Sequence, residues 1–130
     1  MIVDSSAIMA VILDEPDGDM FATRMAAAPV RRISAGNWIE LSAVLTRRKD
    51  PALAVALAIF NAETELTIEP VTVEQAQIGE AAYRTYGIGT GHAARLNFGD
   101  CFAYALAKAT GEPLLFKGDD FARTDLVAAA

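Results

Sequence analysis

Residues 96–120 read LNFGDCFAYALAKATGEPLLFKGDD. The middle of this stretch has the pattern of a helix that ends at Gly111, and the apolar LLF that follows predicts a buried strand. Two acidic residues, Asp119 and Asp120, come directly after that strand. A helix that leads into a short apolar strand is typical of an α/β fold.

The same alternation of strands and helices extends along the chain. Strands are predicted at 1–4, 30–34, 66–70 and 112–116, with a fifth if LVAAA at 126–130 pairs. Helices are predicted at 7–13, from Asp17 or Asp19 to the alanines before Pro29, and at 36–49, 51–63, 71–87 and 101–111. We therefore expect one domain over residues 1–130, a three-layer α/β/α arrangement with a central, mostly parallel sheet of four to five strands. The helix at 51–63 is nearly all apolar, so we expect it to be buried on most sides.

Composition excludes several classes of protein. The chain of 130 residues is 53% hydrophobic, which suffices for one core. From its pattern we expect neither a membrane span nor a secretory signal. We expect a soluble, cytoplasmic protein without a membrane role. The single cysteine, Cys101, cannot form an internal disulfide or a zinc site alone. A net charge of −6 argues against a protein that coats a phosphate backbone, so any contact with nucleic acid must be local.

Acidic residues recur where the predicted strands end. The candidates are Asp4, Glu40, Asp100, Asp119 and Asp120. In open α/β sheets the sites lie beyond the carboxyl ends of the strands, so these side chains should meet at one edge. Several carboxylates held close together repel one another, and a fold tolerates this when cations lie between them. Hard oxygen ligands select Mg²⁺ or Mn²⁺, and such ions promote the hydrolysis of phosphodiesters.

Each acid also has a simpler interpretation. Asp4 and Asp100 stand where helix N-caps and first turns favour a carboxylate, and Glu40 could lie on an exposed helix face. One of the two acids at 119 and 120 could be a turn residue only. Their coincidence at one edge of the sheet is more informative than any single residue.

The segments MIVDSSAI (1–8), NWIE (37–40), LNFGDCFAYALAKATGEPLLFKGDDF (96–121) and TDL (124–126) together resemble the PIN-domain ribonucleases. The resemblance is strongest to the VapC toxins of prokaryotic type II toxin–antitoxin pairs. It extends from residue 1 to about residue 126 in the order and spacing typical of the family. The segment at 96–121 is specific, whereas the opening alone would be weak.

The resemblance implies a function and a set of site residues. It implies an endoribonuclease that depends on Mg²⁺, with Mn²⁺ as a substitute, and that cleaves structured RNA such as transfer RNA or ribosomal RNA loops. Asp4 and Asp100 would be the core metal ligands, with Glu40 holding a second metal or its water and Asp120 as the fourth acid. Asp119 ranks below Asp120 because it occupies the variable position of the KGxDF segment. The supporting residues are Ser6, which could steady Asp4, and Lys117, which could contact phosphate.

The resemblance also implies partners. A VapC toxin is expected to form a homodimer and to be inhibited by a VapB-type antitoxin whose C-terminal segment fills the groove over the acids. An arginine of such an inhibitor would supply the positive charge that a metal otherwise provides. A larger toxin–antitoxin assembly on operator DNA is a further expectation.

Other functions fit the sequence less well. A haloacid-dehalogenase-like phosphatase requires a second aspartate where Ser6 stands, and a response-regulator receiver requires an aspartate at the end of the third strand, where Glu69 and Pro70 stand. A non-catalytic PIN-like module that binds RNA or regulates its operon is the main alternative. The sole histidine, His92, is interpreted as a loop residue that contacts RNA or supports the structure, because metal would activate the water.

Overall fold

The computed structural model describes residues 1–129, and within them the chain forms a parallel sheet of four strands. The strands are β1 (Ile2–Val3), β2 (Arg32–Ser34), β3 (Thr67–Glu69) and β4 (Leu114–Leu115). Their order is β3-β2-β1-β4, and every neighbouring pair is parallel. The expectation of an α/β fold around a mostly parallel sheet is confirmed.

Helices connect the strands and cover the sheet. Their bounds are α1 (Ser5–Ile12), α2 (Gly18–Ala27), α3 (Ala35–Arg47), α4 (Pro51–Thr64), α5 (Val73–Tyr86) and α6 (Phe98–Thr110), followed by a short 3-10 helix at Phe121–Arg123. Most of the predicted helices are therefore correct to within a few residues. The beginning of α6 lies three residues before the prediction, which brings Asp100 inside the first turn.

Side-chain caps explain where most of these helices begin. Five residues accept a hydrogen bond from a backbone N–H of the following turn, and they are Asp4, Ser34, Asp50, Thr72 and Asn97. Asp17 occupies the N-cap position of α2 but forms no side-chain cap, so the expectation that Asp17 or Asp19 caps this helix is wrong.

The two faces of the sheet carry separate apolar clusters. Ile2 and Leu114 pack into the cluster beneath α5 and α6, whereas the next residues in each strand, Val3 and Leu115, pack into the cluster formed with α1 to α4. This alternation follows from the pleat of a strand, which turns successive side chains to opposite faces. The result is the three-layer arrangement that the alternation of elements predicts.

The last predicted strand forms only a single bridge. Leu114 pairs with Ala128, and the backbone hydrogen bonds join the N–H of Leu114 to Val127 and the N–H of Ala129 to Leu114. The final residue of the LVAAA segment, Ala130, lies outside the described residues. The sheet of residues 1–129 therefore has four strands and one short edge contact.

Helix α4 differs from expectation because it is exposed on most sides. Only Leu57 and Phe60 are buried, whereas Val55 and Ile59 are 59% and 51% exposed. The helix packs one narrow stripe on the domain, so its apolar composition is not explained by the core of this chain. No helix within residues 1–129 combines the length and the apolarity needed to span a membrane.

Candidate active site

The order of the strands creates a crevice beside β1. The chain builds the sheet from β1 through β2 to β3 and then returns to add β4 on the other side of β1. In open parallel sheets, ligands bind where the order reverses, beyond the carboxyl ends of the two strands concerned. Here Asp4 follows β1 and the segment 116–120 follows β4.

Asp4 is a buried carboxylate at the N-terminus of α1. Its side chain is the N-cap of that helix and accepts a hydrogen bond from the N–H of Ser6 at 3.0 Å. Only 4% of Asp4 is exposed, and burial raises its pKa, an effect that the hydrogen bonds from Ser6 oppose and the charge of Glu40 reinforces. Asp4 therefore caps helix α1, and its carboxylate is also influenced by the charge of Glu40.

Glu40 reaches this acid from the second turn of α3. Its Oε1 accepts a hydrogen bond from Ser5 Oγ at 2.7 Å and another from Asn37 Nδ2 at 3.3 Å. The Oε2 atom lies so close to Gly99 that a Cβ on that residue would be 1.7 Å away. Glycine at this position of α6 is thus what allows the carboxylate to approach the helix.

Asp100 stands in the first turn of α6 and is part of a capping box. Its Oδ2 accepts from the N–H of Asn97 at 2.9 Å, while the side chain of Asn97 accepts from the N–H of Asp100 at 2.9 Å. Burial, together with the charges of Asp4, Asp120 and Glu40, raises the pKa of Asp100 to about 7. The charges of the other three predicted acids therefore act on Asp100.

The loop after β4 brings the remaining predicted residues to the same edge. Asp119 and Asp120 are both exposed, but Asp120 is among the charges that raise the pKa of Asp100 and Asp119 is not. Ser6 Oγ accepts a hydrogen bond from the N–H of Lys117 at 3.0 Å, which ties α1 to this loop. The Lys117 ammonium forms ion pairs with Glu15 and Asp17, the latter at 3.0 Å, so phosphate would compete with these carboxylates.

Two other polar residues, Asp125 and His92, are occupied by structural contacts. Asp125 accepts hydrogen bonds from Tyr104 at 2.6 Å and from Lys108 at 2.9 Å. His92 Nδ1 accepts from the N–H of Ala94 at 3.0 Å. Its ring packs edge-on against Tyr86 with centroids 4.8 Å apart. Neither side chain belongs to the group of interacting acids.

Comparison with known proteins shows the family of this chain. The sequence model of the PIN domain matches residues 1–127. The chain belongs to the PIN-domain family. Among curated relatives, ribonuclease VapC28 of Mycobacterium tuberculosis is 48% identical over 129 residues, which is 99% of this chain and 97% of the relative. Ribonuclease VapC42 of the same organism is 44% identical over 126 residues, with 97% and 96% covered. Within the PIN-domain family, the chain thus belongs with the VapC ribonucleases.

Solved structures share the same PIN fold. The crystal structure of M. tuberculosis VapC20, described as a sarcin–ricin loop cleaving toxin, superposes with a TM-score of 0.74 at 24% identity and covers 97% of this chain and 95% of its own. VapBC2 from Rickettsia felis, bound to a DNA fragment of its promoter, gives a TM-score of 0.71 at 15% identity, with 98% and 94% covered. At these identities the likeness establishes the fold.

The four acids are suitable ligands for a divalent metal, but their carboxylates do not yet surround a common position. All four acids supply hard carboxylate oxygens, and the raised pKa values of Asp4 and Asp100 indicate that positive charge would be favourable there. Among residues 1–129, however, no three His, Cys, Asp or Glu side chains are close enough together to hold an ion as they stand. One oxygen of Asp100 and one of Glu40 accept hydrogen bonds from the protein, so the second oxygen of each carboxylate is the one left for an ion.

Three residues of this edge escaped the sequence analysis. Ser5, Asn37 and Gly99 all contact the Glu40 carboxylate or the turn that faces it. A signal was present for Asn37, because it stands three residues before Glu40 on the same face of a helix that is otherwise mostly apolar. Gly99 could have been noticed as a glycine inside a helical first turn, where its conformational freedom is not needed.

Proposed function

We propose that this chain is the toxin of a type II toxin–antitoxin pair, a metal-dependent endoribonuclease that hydrolyses phosphodiester bonds in structured RNA. The observation that carries the proposal is the group of four interacting carboxylates at the β1–β4 reversal, in a PIN-domain chain whose curated relatives are named ribonucleases. Its proposed substrate places the activity in the cytoplasm.

The acids have distinct proposed roles. Asp4 and Asp100 are the core ligands, Glu40 holds a second ion or orients a water, and Asp120 completes the set. Divalent-metal dependence is general among PIN-domain VapC ribonucleases, and we propose Mg²⁺ here with Mn²⁺ as a substitute. Such an ion, when bound, supplies positive charge and activates water for attack on phosphorus. The protein contributes fixed carboxylates on three rigid elements, α1, α3 and α6, so the ligands keep their relative positions.

The substrate is proposed to be a loop of transfer RNA or ribosomal RNA. RNA is read specifically where bases are unpaired and accessible, which a single-stranded loop provides. The net charge of −6 disfavours broad contact with phosphates, so recognition should be confined to the few nucleotides that enter the crevice. Ser6 is proposed to support the position of Asp4. Lys117 is the proposed phosphate contact, and it would exchange its ion pairs with Glu15 and Asp17 for the phosphate.

The antitoxin is proposed to cover α4 and to extend into the crevice. Val55 and Ile59 are exposed on α4, and a groove beside them is lined by Leu45, Ala54 and Leu57. Exposed apolar patches of this kind mark protein–protein contacts. Replacing both Val55 and Ile59 by lysine should abolish co-purification with the neighbouring antitoxin while RNA cleavage persists, because both side chains lie outside the group of acids. Retained co-purification would place the antitoxin elsewhere.

A homodimer is proposed to form through the groove between α5 and α6. Phe98 and Val73 are 78% and 76% exposed, and Phe98, Tyr83 and Phe102 line an apolar cavity of about 290 Å³. A second copy would bury this surface beside the acids. A larger assembly with the antitoxin on operator DNA follows the pattern named for the R. felis complex.

The function is tested by sequencing new 5′ ends in total RNA after brief expression of the chain. The wild type should cut one loop or a few related loops, and Asp4→Asn should cut none, since asparagine retains the helix cap but loses the charge. Asp119→Asn is the matched control and should cut as the wild type does. Equal RNA profiles for the wild type and Asp4→Asn would favour a non-catalytic binding module.

A further inference from the structure

Asn37 is a fully buried polar side chain that makes two contacts across the active site. It is 0% exposed, and its Nδ2 donates to the carbonyl of Gly99 at 2.9 Å and to Glu40 Oε1 at 3.3 Å. The first contact joins α3 to the first turn of α6, in which Asp100 stands. One amide group therefore links the element that carries Glu40 to the element that carries Asp100.

The amide oxygen of Asn37 is left without a partner. Asn37 Oδ1 is buried and accepts no hydrogen bond from residues 1–129. Rotating the amide by 180° would not help, because Oδ1 would then face two acceptors, the carbonyl of Gly99 and the carboxylate of Glu40. An unpaired buried acceptor destabilises a fold, and an apolar residue of the same size would avoid that penalty. Asparagine at this position is therefore explained by what its amide nitrogen contacts, Gly99 and Glu40, and not by its oxygen.

Two further residues, Ser5 and Gly99, help to position the Glu40 carboxylate. Ser5 Oγ donates to the same Oε1 atom at 2.7 Å. Gly99 lacks the Cβ that would lie 1.7 Å from Oε2. Two donors thus hold one oxygen while the other rests against the turn that carries Asp100, so the carboxylate has little freedom to rotate.

We propose that Asn37 is a positioning residue, which together with Ser5 and Gly99 fixes the Glu40 carboxylate relative to Asp100 and so sets the affinity of the site for a divalent cation. This inference rests on the proposed function, in which Glu40 and Asp100 belong to one metal site. Groups that orient the ligands of a metal typically change its affinity by about 10–100-fold when they are removed.

The test is a double-mutant cycle read out by Mn²⁺ binding, measured by calorimetry without RNA. Asn37→Leu removes both hydrogen bonds that Asn37 Nδ2 donates, at nearly constant volume, and should weaken Mn²⁺ binding by about 10–100-fold. In a Glu40→Gln background the same change should alter Mn²⁺ affinity by less than about twofold, because the group that Asn37 positions no longer carries the charge.

Asn61 offers a matched control. Its Oδ1 is also buried without a partner, but it stands on α4, away from the acids. Asn61→Leu should leave Mn²⁺ affinity unchanged. The positioning role is wrong if Asn37→Leu has no effect on Mn²⁺ binding. It is also wrong if Asn37→Leu weakens Mn²⁺ binding equally in the wild type and in the Glu40→Gln variant.

Ser5 keeps the proposal testable if Asn37→Leu does not fold. Ser5→Ala should weaken Mn²⁺ binding, whereas Ser5→Thr, which retains a hydroxyl, should bind Mn²⁺ as the wild type does. Equal Mn²⁺ binding by the two variants would contradict the role of Ser5 in positioning Glu40. The proposed function is judged separately by Asp4→Asn. If Asp4→Asn abolishes Mn²⁺ binding and the Asn37 and Ser5 variants do not change it, only the positioning role fails. If Asp4→Asn leaves binding and cleavage intact, the metal site itself is wrong.

Discussion

The two edges of the sheet treat charge in opposite ways. At the amino ends of β1, β2 and β4, the N-terminal ammonium of Met1 lies 2.8 Å from Glu112, and Arg32 contacts Glu112 at 3.2 Å. Arg32 also reaches Glu69, the last residue of β3, at 2.8 Å. Burial acts to raise the pKa of Glu112, but the hydrogen bond and charge of the ammonium, with Arg32, outweigh it and lower the pKa. Glu112 at this edge therefore has two cations beside it.

The carboxyl edge has acids without cations. Within residues 1–129 no lysine, arginine or histidine forms an ion pair with Asp4, Glu40, Asp100 or Asp120. Lys117 is nearby in the chain, but its ammonium is directed to Glu15 and Asp17. The fold therefore pairs Glu112 with cations at one edge and leaves the four acids of the other edge without an ion pair. The unbalanced edge is the one that a bound cation would complete.

The largest expected effect is the loss of cleavage when the unbalanced edge loses a ligand. Asp4→Asn and Asp100→Asn should each lower the cleavage rate by more than about 100-fold, since even the outer partners of metal ligands are worth 10–100-fold. Both variants should be as stable as the metal-free wild type or more stable, because they relieve repulsion. A cleavage assay in Mg²⁺ and a urea titration in a chelator measure the two effects. Normal cleavage by either variant would remove that residue from the metal site.

A second comparison separates the adjacent acids of the loop after β4. Asp120→Asn should reduce cleavage by about 10–100-fold, because Asp120 acts electrostatically on Asp100. Asp119→Asn should change the rate by less than about twofold, because Asp119 is not among the charges that raise the pKa of Asp100. The same RNA cleavage assay measures both. A reversed order would make Asp119 the fourth acid.

The pH dependence of stability should differ between the two edges. Because the pKa of folded Asp100 is about 7 and its ordinary value is 3.8, the folded state holds a proton that the unfolded state has lost between these pH values. The metal-free protein should therefore lose stability as pH rises from about 4 to 7, by about 1–2 kcal/mol from this partly exposed group. Glu112 has the opposite sign, since its lowered pKa stabilises the fold above the ordinary value and this contribution is lost in acid.

Urea titrations of the wild type and Asp100→Asn in a chelator at pH 5 and pH 8 measure the Asp100 contribution. The wild type should lose more stability than the variant between these pH values. An equal loss in both proteins would show that Asp100 is not the group whose pKa is raised. Added Mn²⁺ should stabilise the wild type more at pH 8, because binding requires ionised carboxylates.

The smallest effect is expected at the balanced edge. Glu112→Gln should lower the free energy of unfolding by about 0.5–1 kcal/mol, since Glu112 is partly exposed and partly exposed ion pairs contribute little. RNA cleavage should be unchanged. The control is Glu80→Gln, which removes an exposed pair with Arg84 on α5 and should have a smaller effect on unfolding. Impaired cleavage in Glu112→Gln would mean that the two edges are coupled.

Much of the site could be predicted because its acids stand at positions that local rules recognise. Asp4 follows an apolar strand and Asp100 occupies the first turn of a helix, so strand ends and caps place both at the carboxyl edge. The fold class followed from the alternation of strands and helices. The ranking of Asp120 above Asp119 came from the family pattern, and it stays a prediction that the charges around Asp100 support.

The remaining contacts could not be predicted because they join residues that are distant in the chain. Asn37 meets Gly99 across 62 positions, and the ammonium of Lys117 reaches Asp17 across 100. No periodicity or propensity relates such residues, since these rules describe neighbours on one helix or strand. The exposure of Val55 and Ile59 was missed for a related reason: composition states that a side chain is apolar, and only the packing of α4 determines which side chains are covered.

The amino-acid sequence alone predicts acids at the ends of strands, because strands, caps and turns depend on near neighbours in the chain. It thereby indicated the α/β fold and a position at one edge for Asp4, Asp100 and the loop acids. The tertiary structure decided what surrounds them: which edge receives cations, which acid reaches Asp100, and how Asn37, Ser5 and Gly99 hold Glu40. These features depend on distances between separate elements, and such distances arise only when the helices pack on the sheet.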